Sequence, residues 1–264
     1  MFMLTHTYFL QKILGPAGVK NVEPDIYVYN IAPDLLAIHP LISPSKTHNL
    51  QRTLQIPSQY PKSAYVMYHL LIDDLSHHGF ISSGDQDEFN LDSKGYCYLK
   101  GRRLIKLISD VHKTVGKEIS YGEAVYQSHL IIEMIYDLII LNHINSYKTI
   151  DVLVDAVNFT VNNKMNEFVE TIKWLYDLKE NEINEVMKSA LFFITKESME
   201  GIMNIKGRIN LYKDKFGLQN NERLFNDGLK DLFQRAIDSI DDDELFFQET
   251  AQVIKNCSGL PFLK

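Results

Sequence analysis

The sequence predicts an all-α protein, a multi-helix bundle. Most segments place apolar residues three and four positions apart, which is the spacing of amphipathic helices. Few segments alternate apolar and polar residues as half-buried strands do. Cap residues indicate the same class, because Ser120 and Glu123 form a Ser-x-x-Glu capping box and Gly79 follows the last apolar turn of a predicted helix.

Apolar spacing and caps predict the helices in chain order. They cover residues 3–14, 45–55, 63–79, 98–116, 121–147, 149–161, 163–179, 182–213, 221–238 and 243–256. Two segments are predicted to be loops: residues 15–44 contain five prolines, and residues 80–97 mix Gly, Ser and Asp with aromatic residues. Because long loops are uncommon in a compact domain, we expect these two to frame a site.

Composition excludes several classes of protein. The 264 residues are 45% hydrophobic and 23% charged, which is typical of a globular chain with a substantial core. The net charge of -7 argues against a protein that binds duplex nucleic acid, which needs a basic face. Cys97 and Cys257 have neither disulfide-scaffold nor zinc-finger spacing, and no signal peptide or membrane span is evident, so a cytoplasmic location is expected.

A polar stripe is predicted on the helix 63–79. His69, Asp73 and His77 are spaced at i, i+4 and i+8, so they lie on one helical face. A metal ion between successive turns can contact neighbouring members of such a stripe. The alternative interpretation is a solvated stripe with a local His–Asp ion pair.

A second stripe, on the helix 121–147, has the same spacing. His129, Glu133 and Asp137 are surrounded by apolar residues, which predicts that this helix is buried. A buried carboxylate must be paired or coordinate a metal, because leaving it alone costs several kcal/mol. Coordination is the preferred interpretation, and an internal salt bridge with a Lys or Arg such as Arg52 is the alternative.

If the two helices face each other, their stripes meet between helices in the N-terminal half. The loops and the first helix then add Asp34, His48 and His6 to this space. The combined nitrogen and carboxylate donors suit zinc, with manganese or iron as alternatives. The expected metal ligands are His6, His48, His69, Asp73, His77, His129 and Glu133. His39, His112 and His143 are interpreted as surface or structural residues.

The candidate residues occur in a specific order along residues 3–140: His6, Pro33-Asp34, His48, His69-x-x-x-Asp73 with His77 nearby, and His129-x-x-x-Glu133. This series resembles the zinc-dependent phospholipase C / P1 nuclease superfamily. The resemblance implies an all-α fold with a trinuclear zinc cluster.

The resemblance also implies a role for each matching residue. One zinc would take His48, His69 and Asp73 with Asp34 near it, and a second would take His77, His129 and Glu133. A third ion would lie between Asp73 and His6, and Asp34 would act as the catalytic residue that holds or deprotonates the attacking water. The step from Asp73 to His77 is shorter than the family's usual spacing, so His78 is an alternative ligand.

The expected function is therefore a metal-dependent hydrolase of a small phosphoester, with two or three zinc ions. Residues 1–147 would form the metal-binding core, and 148–264 a helical extension packed on it or part of one continuous domain. A non-enzymatic helical scaffold or binding protein with structural histidines is the alternative. HD-type and di-iron proteins are disfavoured, because the chain has no His-Asp dipeptide and reads His-x-x-x-Glu instead of Glu-x-x-His.

Overall fold

The computed structural model describes residues 2–81, 93–218 and 223–256, and within these ranges the fold is all-α with no strand, as predicted. The helices are α1 (Met3–Asn21), α2 (Ile26–Leu36), α3 (Pro44–His48), α4 (Ser63–His77), α5 (Tyr96–Gly101), α6 (Ile105–Lys113), α7 (Tyr121–Ile139), α8 (Leu141–Ser146), α9 (Thr149–Phe159), α10 (Met165–Tyr176), α11 (Glu180–Phe193), α12 (Lys196–Gly201), α13 (Ile205–Lys215), α14 (Arg223–Asp238) and α15 (Asp243–Lys255). A 3-10 turn joins α5 to α6, and a π-helical turn joins α9 to α10.

The predicted loop 15–44 is wrong over most of its length. The first helix does stop being regular at Gly15, which takes a φ of 67°, but a second helical segment of α1 starts at Pro16. Proline is well tolerated there because the first helical residue needs no N–H donor. Helix α2 forms despite Pro33, because nearly all its residues are buried against α1 and α4 and this packing outweighs one lost backbone hydrogen bond.

Several predicted helices end earlier than the apolar pattern suggests. The helix predicted for 45–55 ends at His48, since the Arg52 side chain donates to the His48 carbonyl that a continuing helix would use. The helix predicted for 182–213 is three helices, because Thr195 and Asn204 cap α12 and α13 with their side chains. Of the second predicted loop, residues 82–92 lie outside the described residues, and α5 already begins at Tyr96.

Helices α4 and α7 lie at the centre of the fold. Helix α4 packs against α2 and α5, α7 packs against α5, α6 and α14, and α1 contacts α2 and α7. The Ser120 cap of α7 is present as predicted, with its side chain accepting a hydrogen bond from the Glu123 amide. The two predicted stripes therefore belong to the two central helices.

Helices from the second half of the chain also pack against this centre. Helix α9 contacts α1 and α2, α13 and α14 contact α7, and α15 contacts α4. These contacts cross the predicted boundary between residues 147 and 148. Within the described ranges, no helix is both long enough and apolar enough to cross a membrane.

Candidate metal centre

Four helices bring histidine and carboxylate side chains to one point. His69 and Asp73 lie one turn apart on α4, where the i, i+4 spacing places them on the same face. Helices α1, α2 and α3 each add one residue. The resulting five-residue cluster consists of His6, Asp34, His48, His69 and Asp73. It contains two groups that share His69: one is His6, His69 and Asp73, and the other is Asp34, His48 and His69. Within each group the donor atoms lie within 4.8 Å of one another.

The two carboxylates of the five-residue cluster each serve more than one histidine. Asp73 has Oδ1 3.2 Å from His6 Nε2, and its Oδ2 is 3.0 Å from His69 Nε2 and 3.5 Å from His48 Nε2. Asp34 Oδ1 is 3.5 Å from His48 Nε2 and 3.9 Å from His69 Nε2. The two carboxylates therefore link the three histidines into one cluster.

Two histidines of this cluster carry buried nitrogens that need a partner. The rings of His6 and His69 are fully buried and stack with centroids 3.6 Å apart. Their Nε2 atoms lie 3.2 and 3.0 Å from oxygens of Asp73, and their Nδ1 atoms make no hydrogen bond within the described part of the chain. A buried polar atom without a partner costs free energy, and coordination of a metal ion would satisfy it. These residues therefore fit a metal.

The surroundings inside the cluster shift the pKa values of His6 and His48 in opposite directions. Burial lowers the pKa of His6 to about 4, so this imidazole is neutral and ready to act as a ligand. Burial also disfavours charge on His48, but its hydrogen bonds with Asp34 and Asp73 outweigh burial and raise its pKa to about 10. Burial opposes ionisation of Asp34 too, yet His69 and His48 together lower the pKa of that carboxyl. Without metal, the cluster therefore holds a positive charge on His48.

A three-residue cluster joins the two central helices. His77 of α4 meets His129 and Glu133 of α7, with donor atoms within 4.8 Å of one another. His77 Nε2 lies 2.6 Å from Glu133 Oε1, and the rings of His77 and His129 are 5.2 Å apart. Burial lowers the pKa of His129 to about 3, and the ring of Tyr98 stacks on it at 4.8 Å. The second predicted ligand set is thus assembled by side chains from separate helices.

The two neighbouring histidines at the end of α4 lie in different surroundings. His77 faces α7 and joins the three-residue cluster, whereas His78 is the residue that follows the helix and lies near Phe80, with ring centroids 6.0 Å apart. The group that can hold a metal therefore contains His77 and not His78.

Asp137, the third member of the stripe on α7, takes no part in either cluster. Its Oδ2 accepts a hydrogen bond from Arg208 Nη2 at 2.8 Å, so the alternative of an internal salt bridge applies to this residue. The partner is not Arg52, which instead forms a bidentate pair with Asp74. The chain contains no local pattern that pairs residues 137 and 208, because they belong to helices far apart in sequence.

The remaining histidines lie outside the clusters found among the described residues. His39 pairs with Glu185 at 3.1 Å, and His112 contacts Gln127 at 2.8 Å, which agrees with surface and structural roles. A further acidic group, formed by Glu23, Asp25 and Glu167, already surrounds the Lys62 ammonium at distances of 2.5 to 2.9 Å. Lys62 supplies the positive charge there.

Sequence reasoning missed the backbone contact that places His77. A Cβ atom on Gly95 would lie 2.0 Å from the carbonyl carbon of His77, so only glycine allows the start of α5 to approach α4 this closely. Gly95 precedes α5 in an ordinary Lys-Gly-Tyr sequence, which carries no signal of this contact. By contrast, Arg52 lies four residues after His48, and that spacing is a visible sign of a local contact.

The donor set as a whole has a clear chemical preference. Imidazole nitrogens and carboxylate oxygens suit zinc, manganese or iron, and several such ions in proximity stabilise charge on a phosphoryl group. Asp34 has the most exposed carboxylate of the two clusters, with a side-chain exposure of 25% against 6% for Asp73 and Glu133. No protein-family model, no curated protein and no solved structure matches this chain.

Proposed function

We propose that this protein is a metal-dependent hydrolase of phosphoester bonds that binds two or three zinc ions. The observation that supports the proposal most directly is the pair of stacked, buried histidines, His6 and His69, whose Nε2 atoms both lie within 3.2 Å of Asp73 and whose Nδ1 atoms make no hydrogen bond among the described residues. Buried imidazoles with this arrangement are costly in a scaffold and useful in a metal site.

The two clusters divide the proposed ligands. Asp34, His48, His69 and Asp73 would hold one zinc, and His77, His129 and Glu133 a second, while His6 and Asp73 would contribute to a third. When bound, the ions supply positive charge and Lewis acidity for attack of water on phosphorus. Manganese or iron are alternatives with the same donor set.

Asp34 is the proposed catalytic residue. Its carboxylate is the most accessible of the two clusters, and its lowered pKa keeps it ionised near neutral pH. An ionised oxygen at the open side of the site accepts a hydrogen bond from a water molecule and orients it for attack. Asp73 and Glu133 are nearly buried and would act as metal ligands rather than as groups that meet water.

We infer a small phosphoester as the substrate and a cytoplasmic location. The net charge of -7 disfavours duplex nucleic acid, whose phosphates require a basic surface. Cys97 is a buried thiol without a disulfide, as expected in a reducing compartment.

A helical scaffold with structural histidines is the second candidate. The charged His48 between Asp34 and Asp73 favours it, because these two carboxylates already have a positively charged partner without any metal.

Metal analysis of the protein purified without chelators separates the two candidates. We expect two or three zinc equivalents, with the zinc of the five-residue cluster lost in His69→Ala, that of the three-residue cluster lost in His129→Ala, and all of it retained in His112→Ala, the matched buried histidine outside the clusters. A panel of phosphomonoesters and phosphodiesters should then show hydrolysis that chelation abolishes. Protein that binds no metal, or histidine variants that lose only stability while keeping the same metal content, would establish the scaffold instead.

A further inference from the structure

Arg52 makes an unusual set of contacts beside the five-residue cluster. Its Nε and Nη2 donate to the two oxygens of Asp74 at 2.9 and 2.8 Å, which is the bidentate geometry that arginine alone provides. Its remaining nitrogen, Nη1, donates to the carbonyl of His48 at 3.0 Å and to that of Leu50. The side chains are almost buried, with exposures of 8% for Arg52 and 3% for Asp74.

These contacts connect two elements that both carry candidate ligands. Asp74 follows Asp73 on α4, and His48 is the last residue of α3. Helix α3 has only five residues, of which Thr47 alone is buried, and it packs against α2. The guanidinium of Arg52 therefore supplies a direct polar connection between the backbone of His48 and the helix that carries Asp73.

We propose that Arg52 is a positioning residue that holds His48 in the metal-binding arrangement by fixing the end of α3 to α4. This inference rests on the metal-binding part of the proposed function. It accounts for the position of His48 Nε2 3.5 Å from Asp73 on α4. Arg52 acts through the His48 backbone and through Asp74, and its hydrogen bonds to described residues go to Asp74, His48 and Leu50, all outside the three-residue cluster.

A purely structural ion pair would behave differently. Removing one partner of a buried ion pair destabilises the whole fold, because the other charge is left buried without a partner. If Arg52 served stability alone, its loss would weaken both metal clusters to the same extent. A positioning role instead predicts a loss confined to the cluster that contains His48, since residues that orient metal ligands typically change affinity by about 10- to 100-fold.

The test is zinc titration of the full chain after chelation, followed by calorimetry. Arg52→Met should lower zinc affinity about 10- to 100-fold for one class of sites and leave the other unchanged. Arg52→Lys keeps the charge but not the two-pronged geometry, so it should recover only part of the affinity. Lys62→Met is the matched control, because Lys62 also forms a nearly buried ion pair, with Asp25, at the other end of α4.

Double variants make the assignment specific. In a His48→Ala background, Arg52→Met should cause no further loss of zinc affinity, whereas in a His129→Ala background it should retain its full effect. Equal losses in both backgrounds, or unchanged affinity in Arg52→Met and Arg52→Lys, would overturn the positioning role while leaving metal binding intact. A wild-type chain that binds no zinc would overturn the metal proposal and this inference together. Thermal melts of each variant identify any that fail to fold. If Arg52→Met does not fold, the zinc affinity of Arg52→Lys decides whether Arg52 has the positioning role.

Discussion

Breaking the buried ion pair between Arg208 and Asp137 should destabilise the protein strongly. Arg208 of α13 and Asp137 of α7 are 0% and 1% exposed, with Nη2 2.8 Å from Oδ2. The hydroxyl of Thr5 donates to the other oxygen of Asp137. The pair therefore joins α13 and α7 to α1, close to the residues that carry both candidate metal clusters.

The structure sets the size of the effect. Among the described residues, Arg208→Met would leave the buried Asp137 carboxylate with the Thr5 hydroxyl as its one side-chain hydrogen-bond partner, and breaking a buried pair in this way costs about 3–5 kcal/mol. For a chain of this length, each kcal/mol lowers the melting temperature by about 2–4 °C, so a fall of roughly 6–20 °C is expected.

Replacing both members should cost far less. Burial raises the pKa of Asp137 even though Arg208 is adjacent, which means that the loss of hydration exceeds the attraction between the two charges. Arg208 also has two buried nitrogens, Nε and Nη1, that make no hydrogen bond among the described residues. The double variant with Arg208→Met and Asp137→Leu is therefore expected to be as stable as the wild type, or more stable by about 1–4 kcal/mol.

Urea and thermal unfolding of the metal-free protein measure these differences. Arg235→Met is the control, because Arg235 pairs with Asp231 on the surface, where side-chain exposures are 59% and 53% and the loss should be at most about 1 kcal/mol. The reasoning fails if Arg208→Met loses no more stability than this control. It also fails if the double variant is as unstable as the single one, since the cost would then come from packing and not from the isolated charge.

Two further predictions concern the clusters themselves. Gly95→Ala should displace the backbone of His77 and reduce zinc binding at the three-residue cluster. Gly201→Ala, with open space around the added methyl, is the control and should leave zinc binding unchanged. Equal zinc content in the two variants would contradict the argument that Gly95 allows the close approach of α5 to α4. Between pH 4 and 6.5 the stability of the metal-free protein should rise with pH, because buried His6 stays neutral while the unfolded chain binds a proton. Between pH 6.5 and 10 the stability of the metal-free protein should fall, because folded His48 keeps its proton while the unfolded chain loses it. Zinc binding at pH 7 should therefore release about one proton, which calorimetry in two buffers of different ionisation enthalpy measures.

Spacing along single helices was readable without coordinates. His69, Asp73 and His77 needed only the i, i+4 geometry of α4, and the apolar surroundings of Glu133 indicated a buried helix. The prolines of residues 15–44 led to a wrong prediction of a loop, because local propensity takes no account of the burial that stabilises α2.

The helical class and the imidazoles and carboxylates that share a helical face could be predicted from the order of residues, since both follow from the 3.6-residue period of one segment. Three contacts became evident from the folded chain: His77 rather than His78 meets Glu133, Asp137 pairs with Arg208, and Arg52 connects α3 to α4. Those contacts join segments distant in the chain, and no local pattern encodes which side chains packing will bring within a few ångström of each other.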